Sequence, residues 1–388
     1  MTTKERIGLS LSRVRNQPSR SMGKIHVYDG NGKGKSQAAL GIVLRSIGLG
    51  IENTCNSRVM LVRLLKGPDR DFDEDRSIAV LQSGFPHLID QVRSGRNLDF
   101  DLTSLDITAN DLAEARRGWD AAKGAMMSGL YSVVVIDELN PALSLGLISL
   151  SDVIEAFKNR PAHVEVIATG RDCPSDLIRI ADLHSEIVPS TSSSTVGFDI
   201  YTGNGKGKSA SALGRALQGI GRSILDNDHQ SGKVLILQFL KGSGHTEEPA
   251  IKAIQTAYPS LVEHLRCGTG ELVSWNDRKA IDYSEADRGW QVAKAAIQSG
   301  NYKMIILDQL NCVVNLGLIQ DIRDVHDTLV GKSESLQIIV TGRFAGPLND
   351  PDAVPSYYSH ATRVLNVTER QHYRTCNQDH TPRVGVDY

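Results

Sequence analysis

The sequence contains no Cys-x-x-Cys pair, and its five cysteines are scattered along the chain. Such spacing forms neither a zinc site nor a disulfide framework, and it predicts free thiols in a reducing compartment, the cytoplasm. No apolar run is long enough to span a membrane, and the N-terminus lacks the apolar segment of a signal peptide. We therefore expect no membrane partner.

The chain also lacks an excess of charge of either sign. Its 43 Lys and Arg residues nearly balance 45 Asp and Glu residues, and the net charge is −2. A nucleic-acid-binding protein is usually strongly cationic, so we expect no nucleic-acid partner. Apolar residues make up 40% of the 388 residues, which predicts a globular protein of about two domains.

What the sequence does contain is a long internal repeat. The segment "GNGKGKS" occurs at Gly30–Ser36 and again at Gly203–Ser209, and further landmarks recur in the same order at an offset of roughly 172 residues. These landmarks are "LLKG" and "FLKG", "ARRGW" and "ADRGW", "VVVIDELN" and "MIILDQLN", and "IATGR" and "IVTGR". The predicted organisation is an N-terminal tail at 1–22, a first domain at 23–188, a Ser/Thr-rich linker at 189–195 and a second domain at 196–388.

Each copy alternates short apolar runs with helical patterns. In the first copy, continuous apolar runs predict strands at Ile25–Tyr28, Val59–Leu64, Val133–Ile136 and Val164–Thr169, and helical spacing predicts helices at Ser36–Ile47 and Leu112–Met127. Continuous apolar strands are typical of a mostly parallel sheet with helices on both faces. The predicted fold class is therefore α/β.

The first predicted strand and helix flank a turn rich in glycine and lysine. Backbone N–H groups at the start of a helix have no intrahelical partner and can face an anion, and glycine lets the backbone approach phosphate closely. The turn is a variant of the P-loop pattern G-x-x-x-x-G-K-[ST], because Asp29 and Thr202 occupy the position of its first glycine. A glycine-rich turn without a ligand is the alternative, but two copies in matching context argue against it.

We thus predict two tandem P-loop NTPase-like domains, each with a nucleotide-binding loop. The residues expected to contact the nucleotide are Gly30, Asn31, Gly32, Lys33, Gly34, Lys35, Ser36 and Gln37 in the first copy, and Gly203, Asn204, Gly205, Lys206, Gly207, Lys208, Ser209 and Ala210 in the second.

A later strand of each copy ends in an aspartate. The pair is Asp137–Glu138 in the first copy and Asp308–Gln309 in the second. Open α/β sheets bind ligands at the carboxyl ends of their strands, and Ser and Asp oxygens suit Mg²⁺ or Mn²⁺. The alternative is a solvated strand end or a helix cap. The expected metal ligands are Ser36 and Asp137 in the first copy and Ser209 and Asp308 in the second.

Several segments together resemble the ATP:corrinoid adenosyltransferases of cobalamin biosynthesis. They are the phosphate loops, "QFLKG", "RGW…AK", "VIDELN", "TGR…IADL" and the ending "RVGVDY". The resemblance covers approximately residues 21–188 and 196–388. It implies that a reduced Co(I) corrinoid attacks the 5′ carbon of ATP's ribose, that an adenosylcorrinoid forms, and that triphosphate leaves.

The resemblance also implies roles for individual residues. The cationic loop would stabilise the departing triphosphate, and the reactive metal is the corrinoid's own, so no protein nucleophile is needed. The expected catalytic residues are Lys33, Lys35 and Glu138 in the first copy and Lys206 and Lys208 in the second. A reductase that supplies Co(I) is an expected partner.

Members of the family displace the lower ligand of the corrinoid with a segment of pattern Phe-Thr-Trp. By order along the chain, that segment is 98–100 in the first copy and 273–275 in the second, and neither matches fully. The resemblance assigns corrinoid contacts to Phe100 and Trp275, with a packing role as the alternative for Trp275. Trp119 and Trp290 are expected to belong to the core.

The departures from the family pattern are divided between the copies. The first copy keeps Glu138 but has "VRLLKG", whereas the second has "QFLKG" and Trp275 but carries Gln309. We predict two nucleotide sites, with full catalysis at one or neither. Two other functions stay open: an ATP-binding regulatory protein that has lost the transferase chemistry, and ordinary ATP hydrolysis.

Family members usually form homodimers. We therefore expect the two copies to pack as an intramolecular pseudo-dimer, with residues 1–22 lying over a corrinoid site. Further oligomerisation is left open.

Overall fold

The computed structural model describes residues 22–52, 57–67, 71–95, 107–191, 198–226, 232–343 and 355–372. Within these ranges, twelve strands form one sheet. The strands are β1 (Ile25–Asp29), β2 (Val59–Arg63), β3 (Ile89–Arg93), β4 (Val133–Asp137), β5 (Glu165–Thr169), β6 (Leu183–Thr191), β7 (Asp199–Thr202), β8 (Lys233–Phe239), β9 (Val262–Cys267), β10 (Tyr302–Asp308), β11 (Gln337–Thr341) and β12 (Arg363–His372).

Helices connect the strands in both copies. They are α1 (Lys35–Glu52), α2 (Asp73–Gly84), α3 (Ala109–Ser128), α4 (Leu139–Ser144), α5 (Leu150–Asn159), α6 (Ser175–Ile180), α7 (Lys208–Leu225), α8 (Glu248–Ala257), α9 (Ala280–Ser299), α10 (Leu310–Asn315) and α11 (Ile322–Val330), with a 3₁₀ helix at Ser356–His360. The strands and helices predicted for the first copy all form, as β1, β2, β4, β5, α1 and α3. No helix in the described ranges is both long enough and apolar enough to cross a membrane.

The strand order is mirrored about the middle of the sheet. It runs β3-β2-β4-β5-β1-β6-β12-β7-β11-β10-β8-β9, so the second copy repeats the order of the first in reverse. Neighbouring strands within each copy are parallel. The copies meet where β6 and β12 pair antiparallel, with Val188 opposite Asn366. This arrangement relates the copies by an approximate two-fold axis.

Strand pairing extends over part of the predicted linker. Pro189 pairs with Leu365 and Thr191 with Val364, so the first residues of the Ser/Thr-rich segment belong to β6. Nothing in the local sequence indicates a strand there, because the pairing partner lies in the other copy. The rest of that segment, most of the tail at 1–22, Phe100 and the ending "RVGVDY" lie outside the described residues, and the domain limits stay predictions.

One hydrophobic cluster is shared by the two copies. It includes Ile42 on α1 and Leu213 on α7, together with strand residues of both copies. Two further clusters, one in each copy, cover the opposite face of the sheet. The sheet is therefore buried on both faces, as the continuous apolar strands predicted, and the cluster on one face is formed jointly by the copies.

Candidate active sites

Each predicted phosphate loop connects the carboxyl end of a central strand to the N-terminus of a helix. The loop of the first copy joins β1 to α1, and that of the second joins β7 to α7. Gly34 and Gly207 precede the helices with φ of 124° and 110°, a conformation that favours glycine. A ring edge of Tyr201 in the second copy lies against Gly34, and a ring edge of Tyr28 in the first copy lies against Gly207. Each loop is thus supported by the other copy.

The loop lysines fold into the loops that carry them. Lys35 Nζ donates hydrogen bonds to the carbonyl oxygens of Gly30 at 2.6 Å and Gly32 at 2.7 Å. Lys208 Nζ donates likewise to Gly205. Burial lowers the pKa of Lys35, although Glu138 opposes the shift. Burial and the nearby Arg343 lower the pKa of Lys208 to about 8. Each loop therefore holds a desolvated ammonium group that an anion would stabilise.

At the end of β4, Asp137 is buried beside a lysine. Lys66 Nζ lies 2.6 Å from Asp137 Oδ2, and the Thr169 hydroxyl donates to Asp137 Oδ1 at 2.5 Å. Burial alone would raise the pKa of Asp137, but the Lys66 charge and hydrogen bonds from Lys66, Thr169 and Ser36 outweigh it and hold the pKa below its ordinary value. Asp137 is therefore an ionised carboxylate within reach of the phosphate loop.

Glu138 follows in a left-handed backbone conformation, with φ of 62°. Its backbone N–H donates to Thr169 Oγ1 at 3.1 Å, which holds the turn. Burial and the adjacent Asp137 carboxylate raise the pKa of Glu138 to about 7, against the opposing charges of Lys66, Lys35 and Arg171. A carboxyl group with such a pKa changes its charge near neutral pH, which is typical of functional sites.

The second copy reproduces the aspartate environment with one addition. Lys241 Nζ lies 2.9 Å from Asp308 Oδ2, and Thr341 Oγ1 donates to Asp308 Oδ1 at 2.6 Å. Gln238 Nε2 donates a further hydrogen bond to Asp308 Oδ2 at 3.0 Å. Burial opposes ionisation of Asp308, but Lys241 and hydrogen bonds from Thr341 and Ser209 lower its pKa to about 2. Asp308 is thus ionised over the whole working range of pH.

Gln309 takes the place of Glu138 without any change in the backbone. Its φ is 69°, and its N–H donates to Thr341 Oγ1 at 2.9 Å. The side-chain oxygen of Gln309 accepts a hydrogen bond from Cys312 Sγ at 2.8 Å. The second copy therefore keeps the shape of the site and lacks its titratable carboxyl group.

The ammonium group of Lys66 lies between the predicted metal ligands Ser36 and Asp137. Lys66 Nζ contacts both Asp137 Oδ2 at 2.6 Å and Ser36 Oγ at 3.4 Å, so these two oxygens fit a small cation between them. Among the described residues, no group of three or more His, Cys, Asp or Glu side chains could hold a metal ion. A bound Mg²⁺ would therefore need phosphate oxygens or water as its remaining ligands.

The predicted corrinoid segment is only partly described. Trp275 is 56% exposed, and the Arg278 guanidinium lies 4.1 Å from the centroid of its ring. Leu272 nearby is 94% exposed. Trp275 therefore does not belong to the core. In contrast, Trp119 and Trp290 are buried as predicted, and their indole N–H groups donate to Asp152 and Asp324.

Sequence reasoning missed the residues that control the two aspartates. Lys66 and Lys241 were part of the "LKG" motif and received no role, and Thr169 and Thr341 belong to the "TGR" motif. A signal was present in each case, because these motifs recur in both copies at or just after the carboxyl ends of strands that neighbour β4 and β10. In a parallel sheet, such positions meet at one edge.

Comparisons with known proteins identify the family of the chain. A family model described as ATP:corrinoid adenosyltransferase BtuR/CobO/CobP matches the chain twice, at residues 21–199 and 194–388. The corrinoid adenosyltransferase of Escherichia coli (strain K12) is 30% identical over 167 residues, which cover 43% of this chain and 77% of the relative. That of Pseudomonas aeruginosa is 32% identical over 174 residues, which cover 42% of this chain and 74% of the relative. An uncharacterised protein of Nostoc sp. (strain PCC 7120) is 52% identical over 393 residues, with all of both chains covered.

Proposed function

The chain belongs to the ATP:corrinoid adenosyltransferase family, and from this premise we propose that it transfers the 5′-deoxyadenosyl group of ATP to a reduced Co(I) corrinoid and releases triphosphate. One observation carries the proposal: in the first copy, a glycine-rich loop holding the buried Lys35 ammonium adjoins the ionised Asp137 and the titratable Glu138. The arrangement suits the binding of a polyphosphate whose charge increases during the reaction.

The proposed reaction is a displacement at the ribose. An electron pair of Co(I) forms a bond to C5′ of ATP while the C5′–O5′ bond breaks, and that bonding pair leaves with the triphosphate. Negative charge therefore develops at the triphosphate in the transition state. Lys33, Lys35 and the backbone N–H groups at the start of α1 would bind it there, and their effect is largest in a desolvated site.

The hydrogen bonds of Lys35 within the loop suit this task. Lys35 occupies the loop by bonding to the carbonyls of Gly30 and Gly32, so a phosphate group would exchange those neutral acceptors for charged ones. Ser36 and Asp137 would hold a Mg²⁺ or Mn²⁺ ion, which supplies further neutralisation of the triphosphate charge when bound. Lys66 would then stay paired with Asp137 and balance part of its negative charge.

We infer that the copies contribute unequally. The first copy has Glu138 and would carry the metal and the leaving group, whereas the second copy presents Trp275 for contact with a corrinoid. Phe100 would make the corresponding contact in the first copy. In the second copy, Lys206 and Lys208 would bind nucleotide, with Ser209 and Asp308 as metal ligands.

The direct test combines the whole chain with ATP, Mg²⁺ and chemically reduced cobalamin. We expect adenosylcobalamin by its absorbance spectrum and triphosphate by ion chromatography, in equal amounts. Lys35→Ala should abolish most turnover, and Lys208→Ala should preserve more of it. ADP and phosphate as products, without adenosylcobalamin, would refute the proposal and indicate ATP hydrolysis.

A second candidate, an ATP-binding regulatory protein, is favoured by one observation in the second copy. Gln309 has the same backbone conformation as Glu138 but no titratable carboxyl group. Nucleotide binding to both copies without formation of adenosylcobalamin, at any ratio of reduced cobalamin to protein, would support this candidate.

A further inference from the structure

The phosphate-loop helices of the two copies cross in direct backbone contact. A Cβ atom on Gly41 of α1 would lie 2.0 Å from the carbonyl oxygen of Ala210, and one on Gly214 of α7 would lie 2.0 Å from that of Gln37. Ser211 Oγ also donates to the carbonyl of Gly34 at 3.1 Å. Side chains one turn beyond the crossing are therefore carried towards the site of the other copy.

The residue carried across differs between the copies. On α1 it is Arg45, whose Nε lies 3.4 Å from Glu247 Oε2 of the second copy. On α7 the matching residue is Gln218, whose Nε2 donates to Glu74 Oε2 of the first copy at 3.2 Å. The crossing thus brings a fixed positive charge to the second site, whereas the first site receives a neutral amide.

In the first site, Arg63 of the same copy balances the negative charge of Glu74. Arg63 Nη1 lies 3.3 Å from Glu74 Oε1, and its guanidinium also bonds to Asp75. The second copy has Gln238 at the position of Arg63, and Gln238 donates to Glu247 Oε1 at 2.9 Å. Arg63 is held within its own copy by two carboxylates, whereas Arg45 comes from the neighbouring copy.

Arg45 lines a cavity that the second phosphate loop forms. The cavity has a volume of about 130 Å³ and is bounded by the loop residues from Gly205 to Ala210, by Arg343, and by three residues of the first copy, Tyr28, Ile42 and Arg45. Arg45 is only 3% exposed, so its charge is little screened by solvent. A polyphosphate held in the second loop would therefore face the Arg45 charge across this cavity.

We propose that Arg45 binds the polyphosphate chain of a nucleotide in the second loop, so that this site is built from both copies and binds triphosphate more tightly than the first. The inference rests on nucleotide binding at the loops, which is part of the proposed function. A guanidinium group forms strong, oriented hydrogen bonds with phosphate, which an amide cannot match. The first site has Glu138, and Gln218 stands at the position that matches Arg45, so turnover is assigned to the first copy and tight binding to the second.

The test measures inorganic triphosphate binding to the whole chain by calorimetry, with one loop disabled at a time. Lys35→Ala leaves the second site for study, and Lys208→Ala leaves the first. We expect the second site to bind more tightly. Arg45→Gln, which introduces the residue found at 218, should weaken the second site by about ten- to hundredfold. At the first site the same substitution should change affinity by less than about twofold.

Two further variants separate charge from structure. Arg45→Lys keeps the positive charge and should keep more of the affinity than Arg45→Gln, whereas a purely structural role of the guanidinium would make both equally weak. Gln218→Arg should tighten the first site. Arg116→Gln removes an 81% exposed arginine and serves as the matched control, with affinities unchanged.

The outcomes distinguish this inference from the proposed function. Equal affinities at the two sites, or an Arg45→Gln effect confined to the first site, would overturn the inference and leave the adenosyl transfer assay unaffected. Unequal binding that depends on Arg45, without adenosylcobalamin formation, would support the inference and refute the proposed reaction. Absence of triphosphate binding at both loops would refute both.

Discussion

Gly41 lies directly against the backbone carbonyl of Ala210, where the helices of the two phosphate loops cross. The contact joins two copies of the same domain through the very helices that begin at their phosphate loops. The packing of the copies and the geometry of their loops are therefore linked.

The first prediction concerns this crossing. Gly41→Ala would place a methyl group 2.0 Å from Ala210 O, so the helices must move apart. We expect the free energy of unfolding to fall by about 2 kcal/mol or more, measured by urea denaturation. Triphosphate affinity should fall at both loops.

The control for this substitution is Gly124→Ala on α3, where an added Cβ has nothing within 4 Å. Alanine favours a helix more than glycine does, so this variant should be stabilised by up to ~1 kcal/mol. If Gly41→Ala proved as stable as Gly124→Ala, the close crossing of α1 and α7 would be wrong.

The second prediction concerns the hydroxyl group of Thr169. It donates to Asp137 Oδ1 and accepts from the N–H of Glu138, so Thr169→Val would leave two buried groups without this partner. We expect a loss of about 2 to 4 kcal/mol in the free energy of unfolding. Thr169→Ser, which restores the hydroxyl, should recover most of it. In the second copy, Thr341→Val should have a similar effect, because its bonds to Asp308 and Gln309 are equivalent.

The third prediction follows from the raised pKa of Glu138. The folded protein holds this proton more tightly than the unfolded chain, because the pKa rises from 4.5 to about 7 on folding. Glu138 thus contributes stability that is fully present below pH 4.5 and is lost as the pH rises through about 7. Relative to Glu138→Gln, the wild-type protein should lose about 2 to 3 kcal/mol of unfolding free energy between pH 4.5 and 8.

Denaturation curves across this pH range provide the measurement. Glu155→Gln removes a carboxyl group from an exposed position on α5 and controls for the loss of charge alone. Its stability should follow the wild-type protein at every pH. A constant difference between Glu138→Gln and wild type from pH 4.5 to 8 would show that Glu138 has no raised pKa.

The fourth prediction exchanges the residues that distinguish the two sites. Glu138→Gln should lower the rate of adenosyl transfer by roughly a hundredfold, as expected for the loss of a group that positions the metal and the leaving group, while triphosphate affinity changes little. Because Gln309 has the same backbone conformation, Gln309→Glu in that background should restore part of the rate. An unchanged rate in Glu138→Gln would assign turnover to the second copy or to neither.

Much of the fold could be predicted because its signals are local. Continuous apolar runs such as Val133–Ile136 predicted buried parallel strands, and the turn before Lys35 predicted a glycine-rich loop at a helix N-terminus. Both features depend on residues that are neighbours in the chain. The position of Asp137 near Ser36 also followed from the sequence, because strand ends in a parallel sheet share one edge.

Long-range contacts account for what could not be predicted. Pro189 lies in a strand only because Leu365 pairs with it from the other copy. Lys66 binds Asp137 although 70 intervening residues separate them in the chain, and the "LKG" motif by itself does not identify its partner. The order of motifs along the chain placed Trp275 where the family pattern has an aromatic residue. The exposure of Trp275, in contrast, depends on the packing of distant segments.

The amino-acid sequence by itself determined that this protein is a duplicated α/β domain with two loops rich in glycine and lysine, because propensity, apolar periodicity and loop chemistry operate over short stretches of chain. Only the tertiary structure decided how the copies face each other: a mirrored sheet joined at β6 and β12, and crossed helices that carry Arg45 to the second loop. The physical reason is that an internal repeat specifies two similar units but not their relative orientation, which depends on complementarity between surfaces that are remote in sequence.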